Sequence, residues 1–195
     1  MKNIILDIGG IIVDDSKENL QKVLNKPKEY VSRLSEIVYG KRFKQCLLGN
    51  LTIQEYMKEL IEQYPDISAE IEKILKPENY ATIIPVKEET TKLIKKLKEK
   101  DFKIYLLSNF TEESYYYLKN KIDIIDNIDG GIFSWQEHLI KPDSAIYELL
   151  IKKYNINKEE SIFFDDKEKN VKAGNDLGIR SVKFKTVKDI INAIN

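Results

Sequence analysis

The 195-residue chain is poor in the side chains on which many enzymes depend. It holds one Cys (Cys46), one His (His138) and five Pro. A single Cys excludes an internal disulfide framework, and one Cys with one His excludes a Cys- or His-rich zinc site. Any Ser-His-Asp or Cys-His arrangement would have to use His138. Charge of one sign is not in excess either: 32 Lys+Arg balance 32 Asp+Glu. No basic surplus points to nucleic acid. Long hydrophobic runs are also lacking. The apolar start, Ile4 to Val13, is broken by Asp7, Gly9 and Gly10 and closed by Asp14-Asp15, too short and too polar for a bilayer span. It lacks the cationic start and uninterrupted apolar stretch of a signal peptide. The expectation is therefore a cytoplasmic protein without membrane or nucleic-acid partners. With 42% hydrophobic and 33% charged residues the chain is that of a folded protein. Its chemistry is expected to run on carboxylates, Lys, hydroxyls and a hard cation.

What is present alternates strand and helix signals in the second half. Lys103–Ser108, Ser161–Phe164 and Ser181–Phe184 are short β-rich runs, and Asn3–Leu6 matches them; Gly130–Ser134 is a weaker one. They are apolar on both faces, as strands covered on both sides of a parallel sheet are. Helical spacing predicts helices over Lys87–Lys100, with Thr91, Ile94 and Leu97 on one stripe, over Asp143–Tyr154 with Pro142 at the first helical position, and over Lys167–Leu177 stopped by Gly178. Strand-helix alternation predicts an α/β fold with a doubly wound, Rossmann-like parallel sheet. Residues 16–84 carry helical spacing without a convincing strand. Thr52 and Glu55 form a capping-box signature opening a helix over Ile53–Tyr64, and Ser68–Leu75 supplies another. The organisation predicted is an α/β core of residues 1–15 and 85–195, with an all-helical insert at 16–84.

In open α/β sheets ligands bind beyond the carboxyl ends of the strands. Polar residues end strands at Asp7, at Ser108-Asn109 and at Asp165-Asp166, and Lys141 stands just ahead of a helix. Together they compose a phosphoryl-transfer site. A carboxylate such as Asp7 can attack phosphorus and form an aspartyl-phosphate. Converging carboxylates repel one another, and oxygen-only ligands suit Mg²⁺ as the relieving cation. Ser108 can donate to phosphoryl oxygens, Lys141 supplies a positive point charge, and Gly9-Gly10 allow a tight turn with backbone N–H groups close to a phosphate. Taken one at a time, each of these residues also has a plain structural reading as a turn, a cap or a solvated charge. Cys46 reads as a small buried hydrophobe, and Arg33 and Arg42 as solvated or ion-paired.

The ordered set Leu-Asp7-Ile-Gly-Gly, Leu-Leu-Ser108-Asn, Lys141-Pro-Asp and Phe-Phe-Asp165-Asp-Lys-Glu-Lys-Asn170 resembles the haloacid-dehalogenase (HAD) superfamily of phosphatases and phosphotransferases. The Asp-Ile-Gly-Gly start and the Lys-Pro-Asp-x-x-Ile-Tyr stretch look closest to its sugar-phosphatase-like branch, related to the phosphatase domain of epoxide hydrolases. The resemblance covers residues 1–15 and 85–195; the insert matches in position and helical character, as a cap. It implies Asp7 as nucleophile and metal ligand, the Gly9 carbonyl as a second metal contact, Asp165 directly on Mg²⁺, and Asp166 on the metal or holding a metal-bound water. It further implies Ser108, Asn109, Gly9 and Gly10 on the phosphate, with Lys141 neutralising charge. The activity implied is Mg²⁺-dependent hydrolysis of a small phosphorylated substrate, a sugar phosphate on the branch resemblance. The chain departs from the family where Gly9 stands two residues after the nucleophile, the usual place of an acid/base Asp. Asp14, Asp15 and His138 are the candidates for that role. Two alternatives follow: a 2-haloacid dehalogenase, which needs neither the second Asp nor a metal, and a catalytically weak protein that binds a phosphorylated ligand or partner. Monomer and homodimer are equally compatible with the sequence.

Overall fold

The computed structural model describes residues 2–194; Met1 and Asn195 lie outside the described residues. Among the described residues five parallel strands form one sheet: β1 (Asn3–Leu6), β2 (Lys103–Ser108), β3 (Gly130–Phe133), β4 (Ser161–Asp165) and β5 (Arg180–Lys183), in the order β3-β2-β1-β4-β5. The expected strands are therefore present. The last is displaced by one residue from the predicted Ser181–Phe184, with Phe184 N–H closing onto the Asp165 carbonyl just beyond the strand.

Alternating side chains divide between two cores. Ile4 and Leu6 of β1, Ile104 and Leu106 of β2, and Ile162 and Phe164 of β4 face one side, which continues into the helical insert. Ile5, Tyr105, Leu107 and Phe163 face the other, packed against Ile146, Tyr147 and Leu150 of the helix Ser144–Tyr154. Burial on both faces is why these runs are apolar throughout rather than alternating. The helix Glu88–Lys98 buries Thr90, Ile94 and Leu97, so Thr90 rather than Thr91 lies on the inner stripe. Pro142 precedes the N-cap, Asp143, whose carboxylate accepts from Ala145 N–H at 3.0 Å; Pro142 is thus outside the helix.

The stretch between β1 and β2 is helical. Its longer helices are Lys17–Leu24, Lys28–Val38, Ile53–Gln63 and Ser68–Leu75. Thr52 and Glu55 close the expected capping box at the start of the third. The chain leaves and rejoins the core at one place: Asp14 N–H donates to Pro85 O at 2.9 Å, and Lys87 N–H to Ile12 O at 2.8 Å. Among the described residues no helix is long and apolar enough to cross a membrane.

The connection from β1 runs to β2 and β3 on one side, and the chain then crosses to β4 and β5 on the other. The carboxyl ends of β1 and β4 thus flank the switch point, where open α/β sheets form a crevice.

Candidate active site

Asp7 follows β1 directly, and its N–H extends the ladder to Phe164 O at 3.0 Å. Its Oδ1 accepts from Ile8 N–H at 2.7 Å and from Ser108 Oγ, at the end of β2, at 2.6 Å. Its Oδ2 lies 3.0 Å from Lys141 Nζ. The same ammonium donates to Asp165 Oδ2 at 2.6 Å and to Leu107 O at 2.7 Å. All three donors of the ammonium are thereby engaged, and its side chain is fully buried. Lys141 is held by its main chain: Asn109 Oδ1 accepts from Lys141 N–H at 2.8 Å, and Asn109 Nδ2 donates to Lys141 O at 3.0 Å. The Asn109 side chain is committed to that clamp.

Asp165 is held as firmly. Lys167 N–H donates to its Oδ1 at 2.8 Å, and Asn170 Nδ2 lies 3.0 Å from each of its oxygens. The electrostatics follow from crowding. Burial alone would raise the Asp7 carboxyl, but Lys141, Lys167 and the Ser108 hydrogen bond outweigh it and hold Asp7 below the ordinary carboxylate range. Burial lifts Asp165 above its ordinary value, against Lys141 and with help from the charge of Asp7. Burial would lower Lys167, yet the carboxylates of Asp7, Asp15, Asp166 and Asp165 together raise it.

One ligand oxygen from each of Asp7, Asp165 and Asp166 comes within 4.8 Å of the others. Among the described residues Asp166 Oδ1 is buried with no hydrogen-bond partner, and a buried carboxylate oxygen left unpaired is costly. An all-oxygen set of converging carboxylates with one orphaned oxygen fits a hard divalent cation such as Mg²⁺.

The turn after Asp7 brings the glycines against this group. Gly10 has φ +72, and a Cβ there would stand 2.7 Å from Asp166 Cγ, so both backbone conformation and close approach require glycine. A Cβ on Gly9 would stand 2.9 Å from Asp15 Oδ2. Burial, and the nearby charges of Asp166 and Asp7, raise the Asp15 carboxyl, with Lys167 opposing. The three acid/base candidates are therefore in different surroundings. Asp14 is turned to Ser16 N–H, which donates to its Oδ1 at 3.1 Å. His138 sits at φ +55 with Nδ1 2.7 Å from Leu48 O. Asp15 lines a cavity of about 550 Å³ together with Asn109, Lys141 and Lys167; Asp14 and His138 do not.

Two residues beside the carboxylates carry no role in the sequence reading, Lys167 and Asn170. The signal for both is their place just after Asp165-Asp166, at the start of the helix Glu168–Asp176. Cys46 is buried. Arg42 pairs with Glu59 at 2.7 Å on the surface, away from the carboxylates.

Among curated proteins, the chain is 32% identical over 89 residues to the sesquiterpene phosphatase astK of Aspergillus oryzae, covering 46% of this chain and 45% of that one. The chain spans less than half the length of the curated relatives it matches. Among solved structures, the HAD family enzyme bt-2542 of Bacteroides thetaiotaomicron, as an Asp-to-Ala mutant in complex with magnesium and inorganic phosphate, superimposes with a TM-score of 0.78. The two share 20% sequence identity over 100% of both chains. A dehalogenase superimposes with a TM-score of 0.72 at 14% identity, over 94% of this chain and 84% of that one. At these identities the structures share the fold, and the fold accommodates both chemistries. The haloacid dehalogenase-like hydrolase family model matches residues 1–178, and the chain belongs to that family of hydrolases.

Proposed function

We propose that the chain is a Mg²⁺-dependent phosphatase of small phosphate monoesters, working through an aspartyl-phosphate on Asp7. The observation that carries this reading is the group of buried Asp7 and Asp165 with half-buried Asp166, whose buried oxygen is unpartnered among the described residues, beside Ser108 and Lys141. The phosphatase among the relatives and the magnesium and phosphate complex of a structural neighbour support it. In this reading residues 1–15 and 85–195 are the catalytic core and 16–84 a cap over it.

Mg²⁺ on Asp7, Asp165, Asp166 and the Gly9 carbonyl would supply positive charge opposite the phosphoryl oxygens. Lys141 adds a fixed charge and keeps Asp7 ionised, hence nucleophilic. The Ser108 hydroxyl and the backbone N–H groups of Gly9 and Gly10 orient the phosphoryl group, and Asn109 contributes by holding Lys141. An Asp7 oxygen forms a bond to phosphorus as the bond to the leaving oxygen breaks. Asp15 gives that oxygen a proton and then removes one from the water that hydrolyses the aspartyl-phosphate. Asp15 is favoured over Asp14 and His138 because its carboxylate stands where a side chain at residue 9 would lie and opens onto the cavity. The branch resemblance makes sugar phosphates one substrate class under this reading.

The test is phosphate release from p-nitrophenyl phosphate, sugar phosphates and alkyl phosphates, with Mg²⁺ and with EDTA. The expected result is metal-dependent turnover that is lost in Asp7→Asn. Halide release from 2-haloacids without metal would replace this reading with a dehalogenase. Silence on every substrate despite Mg²⁺ binding would leave a ligand-binding protein.

A further inference from the structure

The cavity of about 550 Å³ that opens beside Lys141 and Asp15 is lined by two unlike sets of residues. The core contributes the polar Asp15, Asn109, Lys141, Lys167 and Lys169. The insert contributes chiefly apolar side chains, among them Leu20, Phe43, Leu47, Ile74 and Ile84, together with Tyr80. Apart from tyrosine hydroxyls and Lys44, the insert contributes no polar side chain to this wall. The hydroxyl pair that the core adds is partly engaged within itself: Thr111 Oγ1 donates to Ser114 Oγ at 2.9 Å and accepts from Ser114 N–H at 3.3 Å. Burial, with the nearby charge of Glu113, pushes the Tyr80 phenol up to about 12, against a hydrogen bond with Ser114. The volume lies in the range of small-ligand sites.

A polyol in this space would surrender its water hydrogen bonds and find few partners, because buried polar groups need them. An apolar chain would exchange water for the Leu20, Phe43, Ile74 and Ile84 side chains. We infer that the site takes the phosphate monoester of an apolar alcohol, with the phosphoryl group at Asp7 and Lys141 and the hydrocarbon in the cavity of the insert. This inference names the substrate class of the proposed phosphatase and rests on that reading for the fate of the phosphoryl group.

Two measurements test it. The first is kcat/KM with Mg²⁺ for ethyl, butyl, hexyl and octyl phosphate, beside glycerol phosphate and glucose phosphate. Each added methylene is expected to raise kcat/KM about fourfold until the cavity is full, with the polyol phosphates at or below the ethyl value. The second is calorimetric binding of the non-hydrolysable ethyl and octyl phosphonates in the presence of Mg²⁺. Octyl phosphonate is expected to bind at least about 50-fold tighter, six methylenes discounted for incomplete burial, with a negative heat-capacity change. Phe43→Asn and Leu47→Gln, checked for an unchanged far-ultraviolet spectrum, should each shrink the octyl-to-ethyl ratio in both measurements. Polyol phosphates turned over faster than octyl phosphate, or phosphonate affinity independent of chain length, would overturn the inference. Affinity that climbs with chain length while no phosphate ester is hydrolysed would uphold it and overturn the phosphatase reading instead.

Discussion

The carboxylate of Asp15 occupies the space that a side chain on Gly9 would need: its Oδ2 lies 2.9 Å from where that Cβ would stand. The obstructing atom is the far end of a flexible side chain, and Gly9 carries no left-handed φ. Gly9→Ala is therefore expected to fold with little loss of Tm while displacing Asp15. Its kcat should fall toward that of Asp15→Asn, which is expected to lie about 10²–10⁴-fold below the parent for alkyl phosphates. In kcat/KM, which is set before the aspartyl-phosphate is hydrolysed, the loss should be smaller for p-nitrophenyl phosphate, whose leaving group needs no proton. Gly9→Asp combined with Asp15→Asn should recover part of the loss. Equal losses of kcat/KM on good and poor leaving groups would show that Asp15 does not act on the leaving oxygen.

Asp7→Asn keeps the size of the side chain and removes the anionic nucleophile. The expected outcome is a fall in kcat of about 10³-fold or more, read by steady-state phosphate release. A variant retaining a tenth of parental kcat would exclude the aspartyl-phosphate route.

Lys141 shares one buried ammonium between Asp7 and Asp165, at 3.0 and 2.6 Å. Lys141→Met leaves two buried carboxylates facing each other. Removing one partner of a buried charge group costs about 3–5 kcal/mol, to be read by urea unfolding in EDTA. Added Mg²⁺ should return part of that loss, since a cation on the same carboxylates relieves their repulsion. An identical deficit with and without Mg²⁺ would argue against the carboxylates as its ligands.

Mg²⁺ at about 100 times its Kd should stabilise the parent by about 2.7 kcal/mol, measurable as a rise in Tm over EDTA. Asp166→Asn replaces a carboxylate whose buried oxygen lacks a partner and should shift that titration to higher Mg²⁺. It should leave stability in EDTA unchanged or improved.

Asp129 ties the helix Glu88–Lys98 to the start of β2: its Oδ2 lies 2.5 Å from Lys98 Nζ and accepts from Ile104 N–H at 2.8 Å. Burial would raise its carboxyl, but these two partners outweigh burial and lower it. A carboxyl lowered on folding contributes stability above its unfolded value of about 3.9, and that contribution is lost as pH falls through the folded value. Asp129→Asn should therefore lower Tm near neutrality and flatten its decline below about pH 4. A parallel acid limb in both proteins would mean that other groups set the decline.

Much of the framework was legible because its signals are local. The runs at β1, β2 and β4 are apolar on both faces, and the Thr52–Glu55 box announces its helix within four residues. Small errors came where packing rather than pattern decides. Thr90 instead of Thr91 turns inward, and Pro142 stays outside the helix that Asp143 caps. Asn109 shows the limit best. Its position after Ser108 marks a strand end, but only the approach of residue 141 reveals that its amide closes on the Lys141 main chain.

By itself the sequence narrowed the kind of chemistry: a chain with one His and one Cys is left chiefly with carboxylates, Lys and hydroxyls, and it places carboxylates at two strand ends. It also pointed to the parallel sheet that lines those ends up, since alternation and apolar runs imply parallel strands buried on both faces, while the order β3-β2-β1-β4-β5 came from the structure. Only the tertiary structure decided which of Asp14, Asp15 and His138 reaches the vacancy at Gly9. That contact depends on the path of the turn from Ile8 to Val13, where the Ile8 carbonyl gathers the N–H groups of Ile11, Ile12 and Val13. The apolar cavity was equally beyond the sequence, because its wall is assembled from several separated stretches of the insert. Each of those stretches reads alone as an ordinary helix burying its own face.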